Sequence, residues 1–92
     1  TGISGDIADK TAGIMQELSK NLQVIDITHL PQIAAKADTH YVIYKTEESG
    51  RTRTKVKQLN DEDRTNEIAK MLSGENISDA AVKNARELIH GK

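Results

Sequence analysis

Apolar side chains recur at helical spacing in four stretches of the chain, and each stretch predicts an amphipathic helix. The first stretch follows Ser4, a residue type that caps helices, and Asp6 suits the positive end of the helix dipole. Its predicted buried face consists of Ile7, Thr11, Ile14, Met15, Leu18 and Leu22. The second is a short helix over residues 32–37, for which Pro31 is a favoured first residue.

The other two helices form a predicted helical pair over residues 60–90. Asn60 or Asp61 is expected to cap the third helix, and Ser78 the fourth. Gly74 and Gly91 suit the two C-terminal ends. The predicted buried stripes are Ile68, Ala69, Met71 and Leu72 on the third helix, and Ala81, Val82, Ala85, Leu88 and Ile89 on the fourth.

β-Branched residues predict three strands between these helices. Residues 23–28 form a short run directly after the first helix, as in an αβ step. Residues 41–45 and 51–57 flank a loop that contains Gly50, which predicts an antiparallel hairpin over residues 40–58. The predicted order is α-β-α-β-β-α-α, a single α/β unit without internal repeats.

The composition limits what such a unit can be. A chain of 92 residues with 36% apolar content forms one domain at most, and without Phe or Trp its core is expected to be thin. The absence of cysteine excludes a disulfide framework and a cysteine-based zinc or redox site. No apolar run is long enough to span a membrane, so a soluble protein without membrane partners is expected, and the absence of cysteine fits a reducing cytosol. The chain begins with Thr1 in a turn-like segment, and we expect a fragment of a longer protein.

Among three histidines, His29 has the most suggestive position, because it follows a predicted strand at the edge where open α/β sheets bind ligands. A neutral imidazole donates one hydrogen bond and accepts another, which suits contact with a phosphoryl group. On its position alone, we nevertheless favour a structural or solvent-exposed role for His29 over a phosphate contact. His40 and His90 have no neighbouring constellation and are predicted to be surface residues, and no metal site is predicted.

Several segments together resemble one family. Residues 1–5 (TGISG) resemble a D-loop, and residues 27–34 (ITHLPQIA) resemble the histidine loop of ATP-binding-cassette ATPases of the SMC-like DNA-repair branch. Residues 50–56 (GRTRTKV) and 67–72 (EIAKML) also resemble the C-terminal region of that branch. The resemblance covers nearly the whole chain and implies an incomplete P-loop ATPase lobe with a C-terminal helical pair.

The resemblance assigns roles to four residues. His29, in a histidine loop over residues 27–31, would be the catalytic switch that contacts the γ-phosphate and orients attacking water. Gly2, Ile3 and Ser4, in a D-loop over residues 1–5, would lie across the interface between two ATP-sandwiching heads.

The same resemblance implies the setting in which those residues act. ATP and magnesium would bind to the parent protein, whose partners would be the missing N-terminal part of the head, a second head and DNA. The implied process is double-strand-break repair and recombination in the cytoplasm, at the nucleoid.

Two features depart from the family pattern. Ser4 stands where many cassette proteins have an aspartate, which argues against carboxylate chemistry in the D-loop. Asp26 interrupts an apolar predicted strand, and a buried carboxylate there would need a partner that the sequence does not identify.

The phosphate-binding parts of the family are missing from these 92 residues. There is no Gly-rich phosphate loop with its lysine, no signature and no Walker B strand. Residues 72–75 (LSGE) resemble a signature, but they follow a helical stripe that needs a glycine cap, so we favour a helix end. We therefore expect the chain alone to bind nucleotide very weakly and not to hydrolyse ATP.

The basic strand supports a second hypothesis, a small nucleic-acid-binding or protein-interaction module without an ATPase parent. Its charges alternate with threonine and valine and therefore share one strand face: Arg51, Arg53, Lys55 and Lys57. Such a row suits phosphate contacts that depend strongly on salt. The plainer interpretation, which we favour, is an edge strand protected from aggregation by its charges and partly neutralised by Glu47, Glu48 and residues 61–63.

In the fold that the resemblance implies, the strand that carries the phosphate loop lies in the sheet between the strand ending at Thr28 and the strand beginning near His40, and these 92 residues lack it. Its absence would leave backbone donors unpaired and apolar faces uncovered. We therefore expect the chain to rearrange or to dimerise, with domain swapping as one route.

Overall fold

The computed structural model describes residues 5–91. Their elements, in chain order, are α1 Gly5–Leu18, α2 Pro31–Lys36, β1 Tyr41–Glu48, β2 Arg51–Gln58, α3 Asp61–Ser73 and α4 Asp79–His90. The four predicted helices and the hairpin are confirmed, and the described part is a small α/β structure whose single sheet has two strands. No helix in this part of the chain is long and apolar enough to cross a membrane.

The core lies where α2, α3 and α4 meet, and it is built almost entirely from alanine. Ile68 is the largest side chain that is fully buried among the described residues. The other core residues are Ala34, Ala35, Ala69, Ala81 and Ala85, with Met71, Val82, Leu88 and Ile89 packed against them. The small side chains let the helices approach closely. The predicted stripes of α3 and α4 are thus confirmed, except that Leu72 remains 39% exposed.

The helix ends follow the predicted capping chemistry. Asn60, rather than Asp61, caps α3, because its Oδ1 accepts a hydrogen bond of 2.8 Å from the backbone N–H of Asp63. Ser78 caps α4 through a 3.0 Å bond from the N–H of Ala81. At the end of α3, Gly74 has a φ of +84°, so the LSGE string is a helix end as predicted.

The predicted buried face of α1 is largely wrong. Ile14 and Leu18 are 63% and 49% exposed, whereas Ala8 and Ala12 are buried. Among the described elements α1 packs only on α2, a helix of six residues, and that contact uses the small side chains. The large apolar side chains face a side of α1 that no described element covers.

The predicted strand over residues 23–28 is also not formed. This segment has no regular secondary structure, and Ile25 and Ile27 are 82% and 90% exposed. A strand needs a neighbour for its backbone hydrogen bonds, and no described segment pairs with this one. Asp26 is exposed as well, so it does not need the buried partner that the strand prediction required.

The hairpin has longer strands and a tighter turn than the sequence predicts. Ser49 and Gly50 form a two-residue turn with φ values of +52° and +74°, the positive angles that a type I′ turn requires. At its base, the N–H of Leu59 donates a 2.9 Å hydrogen bond to the carbonyl of His40. Neither strand packs against a described helix, so the hairpin projects from the helical core.

Candidate functional site: the histidine loop and the basic hairpin

His29 lies on a short turn between the extended segment and α2, and its side chain is exposed. The turn is fixed on both sides of the histidine. Before it, the Oγ1 of Thr28 accepts a 3.0 Å hydrogen bond from the N–H of Leu30. After it, the carbonyl of Leu30 accepts bonds of 3.1 and 3.0 Å from the N–H groups of Ile33 and Ala34, and Pro31 starts the helix. His29 is thus displayed on a locally constrained backbone.

The start of α1 lies beside the start of α2. A Cβ placed on Gly5 would lie 3.7 Å from the Nε2 of Gln32, three residues after His29. The predicted D-loop residues Gly2, Ile3 and Ser4 lie outside the described residues, but the chain leaves them at Gly5, next to the histidine loop. Gly5, the last residue of the predicted D-loop, therefore lies near Gln32, the residue that follows the predicted histidine loop.

Arg64, which the sequence analysis does not identify, holds the other end of α2. Its Nη2 donates hydrogen bonds to the carbonyls of Ala34 at 3.3 Å, Ala35 at 2.7 Å and Ala37. These carbonyls lie at the C-terminal end of α2, where helical partners run out and a cation is favoured. Partial burial lowers the pKa of Arg64, an effect that the negative charges of Asp61 and Asp38 oppose.

His40 is partly buried beside Arg64, contrary to its predicted surface position. Burial is the main reason that the pKa of His40 is lowered, the Arg64 cation adds to the effect, and Glu67 opposes it. Its Nδ1 is buried without a hydrogen-bond partner among the described residues. Neither His40 nor Arg64 belongs to a sequence motif that would identify it. The two become neighbours only when α3 packs against the segment that follows α2.

The basic strand residues share one face of the hairpin, as predicted. In the observed register Arg51, Arg53, Lys55 and Lys57 lie opposite Glu48, Thr46, Tyr44 and Val42. Every residue of β2 is exposed.

Carboxylates on and beside this face already engage three of the four cations. Glu48 contacts Lys55 at 2.5 Å and Arg53 at 3.4 Å, and Asp63 contacts Lys57 at 3.9 Å. Arg51 forms no ion pair with a described residue. The predicted neutralisation is therefore present through Glu48 and Asp63, whereas Glu47 forms no ion pair with these cations among the described residues.

The opposite face of the hairpin is apolar near its base. Tyr41, Ile43 and Val56 are 57%, 60% and 64% exposed there. Glu47 lies on this same face, where its carboxylate accepts a 2.5 Å hydrogen bond from the hydroxyl of Thr52. The hairpin thus presents an apolar face and a basic face on opposite sides. Within residues 5–91, no three histidine or acidic side chains are grouped closely enough to hold a metal ion.

Comparison with known proteins gives a consistent result. No protein-family model matches the chain. Over 89 residues, 97% of its length, the chain is 48% identical to the DNA repair protein RecN of Rickettsia conorii. It is 43% identical over 89 residues to the DNA repair protein RecN of Bacillus subtilis, and 47% identical over 90 residues to that of Deinococcus radiodurans. The chain spans only 16% of the length of each of these curated relatives.

Proposed function

Because the chain corresponds over nearly its whole length to a C-terminal segment of RecN, a DNA repair protein, we propose that it forms part of an ATP-driven head. In this proposal the segment supplies a histidine loop and a D-loop to an ATP sandwich between two heads. ATP and magnesium are bound mainly by parts of the head that precede this segment. The head then serves DNA double-strand-break repair and recombination at the nucleoid, in the cytoplasm.

The approach of α1 to the histidine loop is the observation that carries this proposal. Gly5 follows the proposed D-loop directly and lies beside Gln32 in the first turn after His29. Two segments that act at one nucleotide site must lie near one another, and the position of Gly5 beside Gln32 supports this although 23 intervening residues separate Gly5 from His29 (29 − 5 − 1).

The chemistry proposed for His29 is positioning and charge stabilisation. Phosphoryl transfer requires an attacking water held in line with the γ-phosphate and donors for the charge on its oxygens. An imidazole supplies one donor and one acceptor, and the constrained turn around His29 limits the positions that its ring can take. Magnesium would be held by carboxylates outside this chain and would neutralise charge on the β- and γ-phosphates.

Hydrolysis by a full-length protein that carries this segment tests the proposal. His29→Ala is expected to lower kcat by about 100-fold or more, because general acid–base and positioning groups typically contribute that much. The dissociation constant for ATP is expected to change little. His90→Ala, at another exposed histidine, is the matched control and should leave turnover unchanged. Unchanged turnover in His29→Ala would remove the assignment.

A second candidate function is contact between the basic face of the hairpin and the phosphates of duplex DNA. The projection of the hairpin from the helical core favours it, because all four cations are accessible along one side of an exposed strand. The face offers few groups for base recognition, so contacts would be to the DNA backbone and would weaken with salt.

Glu48 makes the second candidate testable, because it competes with DNA for Arg53 and Lys55. Glu48→Gln should tighten binding to a duplex DNA probe, since it releases two cations on the binding face. Glu47→Gln makes the same change in net charge on the opposite face and is the matched control. Equal effects of the two variants would indicate a general charge effect and would favour an edge-protecting role.

The double variant Arg51→Ala with Arg53→Ala tests the same DNA contact by removing two of the cations. If both residues contact phosphates, the slope of log K against log salt should become shallower by about 2, roughly one unit for each lost contact. An unchanged slope would exclude the basic face as a DNA contact.

A further inference from the structure

The α2 helix is too short to hold its own position. It has six residues, and its N-cap residue, Leu30, makes no side-chain capping bond. Isolated helices of fewer than about 12 residues are marginal in water, so tertiary contacts must fix α2. The alanines of its buried face pack on α3 and α4, but such contacts have no direction and permit sliding.

Arg64 supplies the directional contact that packing lacks. One nitrogen of its guanidinium reaches three carbonyls in the last turn of α2 and just beyond it. The only other side-chain hydrogen bond to α2 described here is weaker, from the Nε2 of Gln16 to the carbonyl of Lys36 at 3.4 Å. Arg64 belongs to α3, so the contact ties α2 to the helical core.

A short series of hydrogen bonds connects Arg64 to the turn that carries His29. Ala34 accepts a bond from Arg64 through its carbonyl and donates a bond to the carbonyl of Leu30 through its N–H. The N–H of Leu30 in turn donates to Thr28 on the other side of His29. The backbone on both sides of His29 is therefore connected to the helical core through α2.

We propose that Arg64 is a positioning residue for His29. It holds α2 at its C-terminal end, and α2 fixes the direction in which the histidine leaves the turn. This inference rests on the proposed role of His29 in hydrolysis.

Two readouts on a full-length protein carrying this segment test the inference. Hydrogen exchange reports directly on α2: in Arg64→Ala the amides of Ile33 and Ala34 should exchange at least about tenfold faster, because their bonds to Leu30 open more often. Steady-state ATP hydrolysis should show kcat lowered by about 10- to 100-fold, as small misplacements of a reacting group produce, with the dissociation constant for ATP unchanged.

Control variants separate positioning from folding. Arg86→Ala removes an exposed arginine from α4 and should change neither readout. Arg64→Lys keeps the charge but replaces the planar guanidinium with a compact ammonium on a different stem, and should recover folding, measured by thermal unfolding, without recovering full kcat. Thr28→Val removes the acceptor on the other side of His29 and should lower kcat in the same way without touching the core.

The outcomes distinguish failure of the proposed function from failure of the positioning role of Arg64. If His29→Ala leaves turnover intact, the proposed function fails, and the inference fails with it whatever Arg64 does to exchange. If His29→Ala abolishes turnover while Arg64→Ala leaves kcat unchanged, the proposed function stands and the positioning role is overturned. Unchanged exchange at Ile33 and Ala34 in Arg64→Ala would overturn it equally.

Discussion

At the scale of single residues, His40 and Arg64 are two partly buried polar side chains that interact electrostatically. Both side chains carry a buried nitrogen without a hydrogen-bond partner among the described residues, Nδ1 of His40 and Nε of Arg64. Burial, and after it the neighbouring Arg64 cation, disfavours a positive charge on His40 and so lowers its pKa. The charge of His40 should therefore be linked to folding.

Stability of the chain should fall as the pH decreases through the ordinary range of histidine. In the unfolded chain His40 titrates near about 6.5, whereas burial and Arg64 lower its pKa in the folded chain. Between the two values the unfolded state binds more protons, so protonation favours unfolding. Urea unfolding at pH 7.5 and pH 5.5 should show a smaller loss of stability in His40→Gln than in the unchanged chain. An identical loss of stability in His40→Gln and in the unchanged chain would contradict the link between protonation of His40 and folding. His90→Gln serves as the control.

The sequence predicts the role of a residue well where the signal is local. Asn60 and Ser78 were identified as caps because a cap is recognised from its own side chain and the few residues after it. The histidine loop is identified only by its resemblance to a family motif, and the role of His29 stays a prediction. Arg64 and His40 were missed because nothing within ten residues of either one specifies their contact. Their roles are set by the packing of α3, which sequence periodicity does not locate.

At the scale of elements, the sequence predicts where helices form better than it predicts which of their side chains are buried. The helices form where apolar spacing indicates them, but the large residues of α1 are exposed and its alanines are buried. Residues 23–28 have the composition of a strand and remain unpaired. A helix satisfies its backbone internally, whereas a strand depends on a neighbour, so an amphipathic helix can form without a covered face and a lone strand cannot.

Ile68 should dominate the stability of the helical core. It is the one large side chain that is fully buried among the described residues, and alanine at this position would leave a cavity between α2, α3 and α4. Ile68→Ala is expected to lower the free energy of unfolding by about 2–5 kcal/mol. Ile25→Ala, at a side chain that is 82% exposed, should change it by less than about 0.5 kcal/mol. Urea midpoints that are equal for the two variants would contradict this account of the core.

At the scale of the whole molecule, the described apolar surface is too large to be explained by single exposed residues. The outer side of α1, the segment over residues 23–28 and the apolar hairpin face all lack cover from the described elements. A shallow apolar groove runs along α1 between Ile14, Leu18 and Leu22. Surfaces of this kind mark contacts with other protein segments or between copies.

The isolated chain should therefore associate with itself. Sedimentation velocity is expected to show a species larger than the monomer whose fraction rises with concentration. Ile25→Asp with Ile27→Asp places two charges on the exposed segment and should shift the chain toward monomer, because the charges would be costly to bury in an interface. A stable monomer at every concentration would argue against self-association.

The proposed place of this chain in an ATP-driven head predicts that residues 23–28, which are unpaired here and lead to His29, are covered by other parts of a full-length protein. Hydrogen exchange of the amides in this segment tests the claim most directly, measured in the 92-residue chain and in a full-length protein that carries it. We predict fast exchange in the chain alone and exchange slower by about 100-fold or more in the full-length protein, where the amides are expected to be protected by contacts with the rest of the head. Equally fast exchange in both would show that the segment pairs with nothing, and it would contradict the assignment of this chain to an ATPase head.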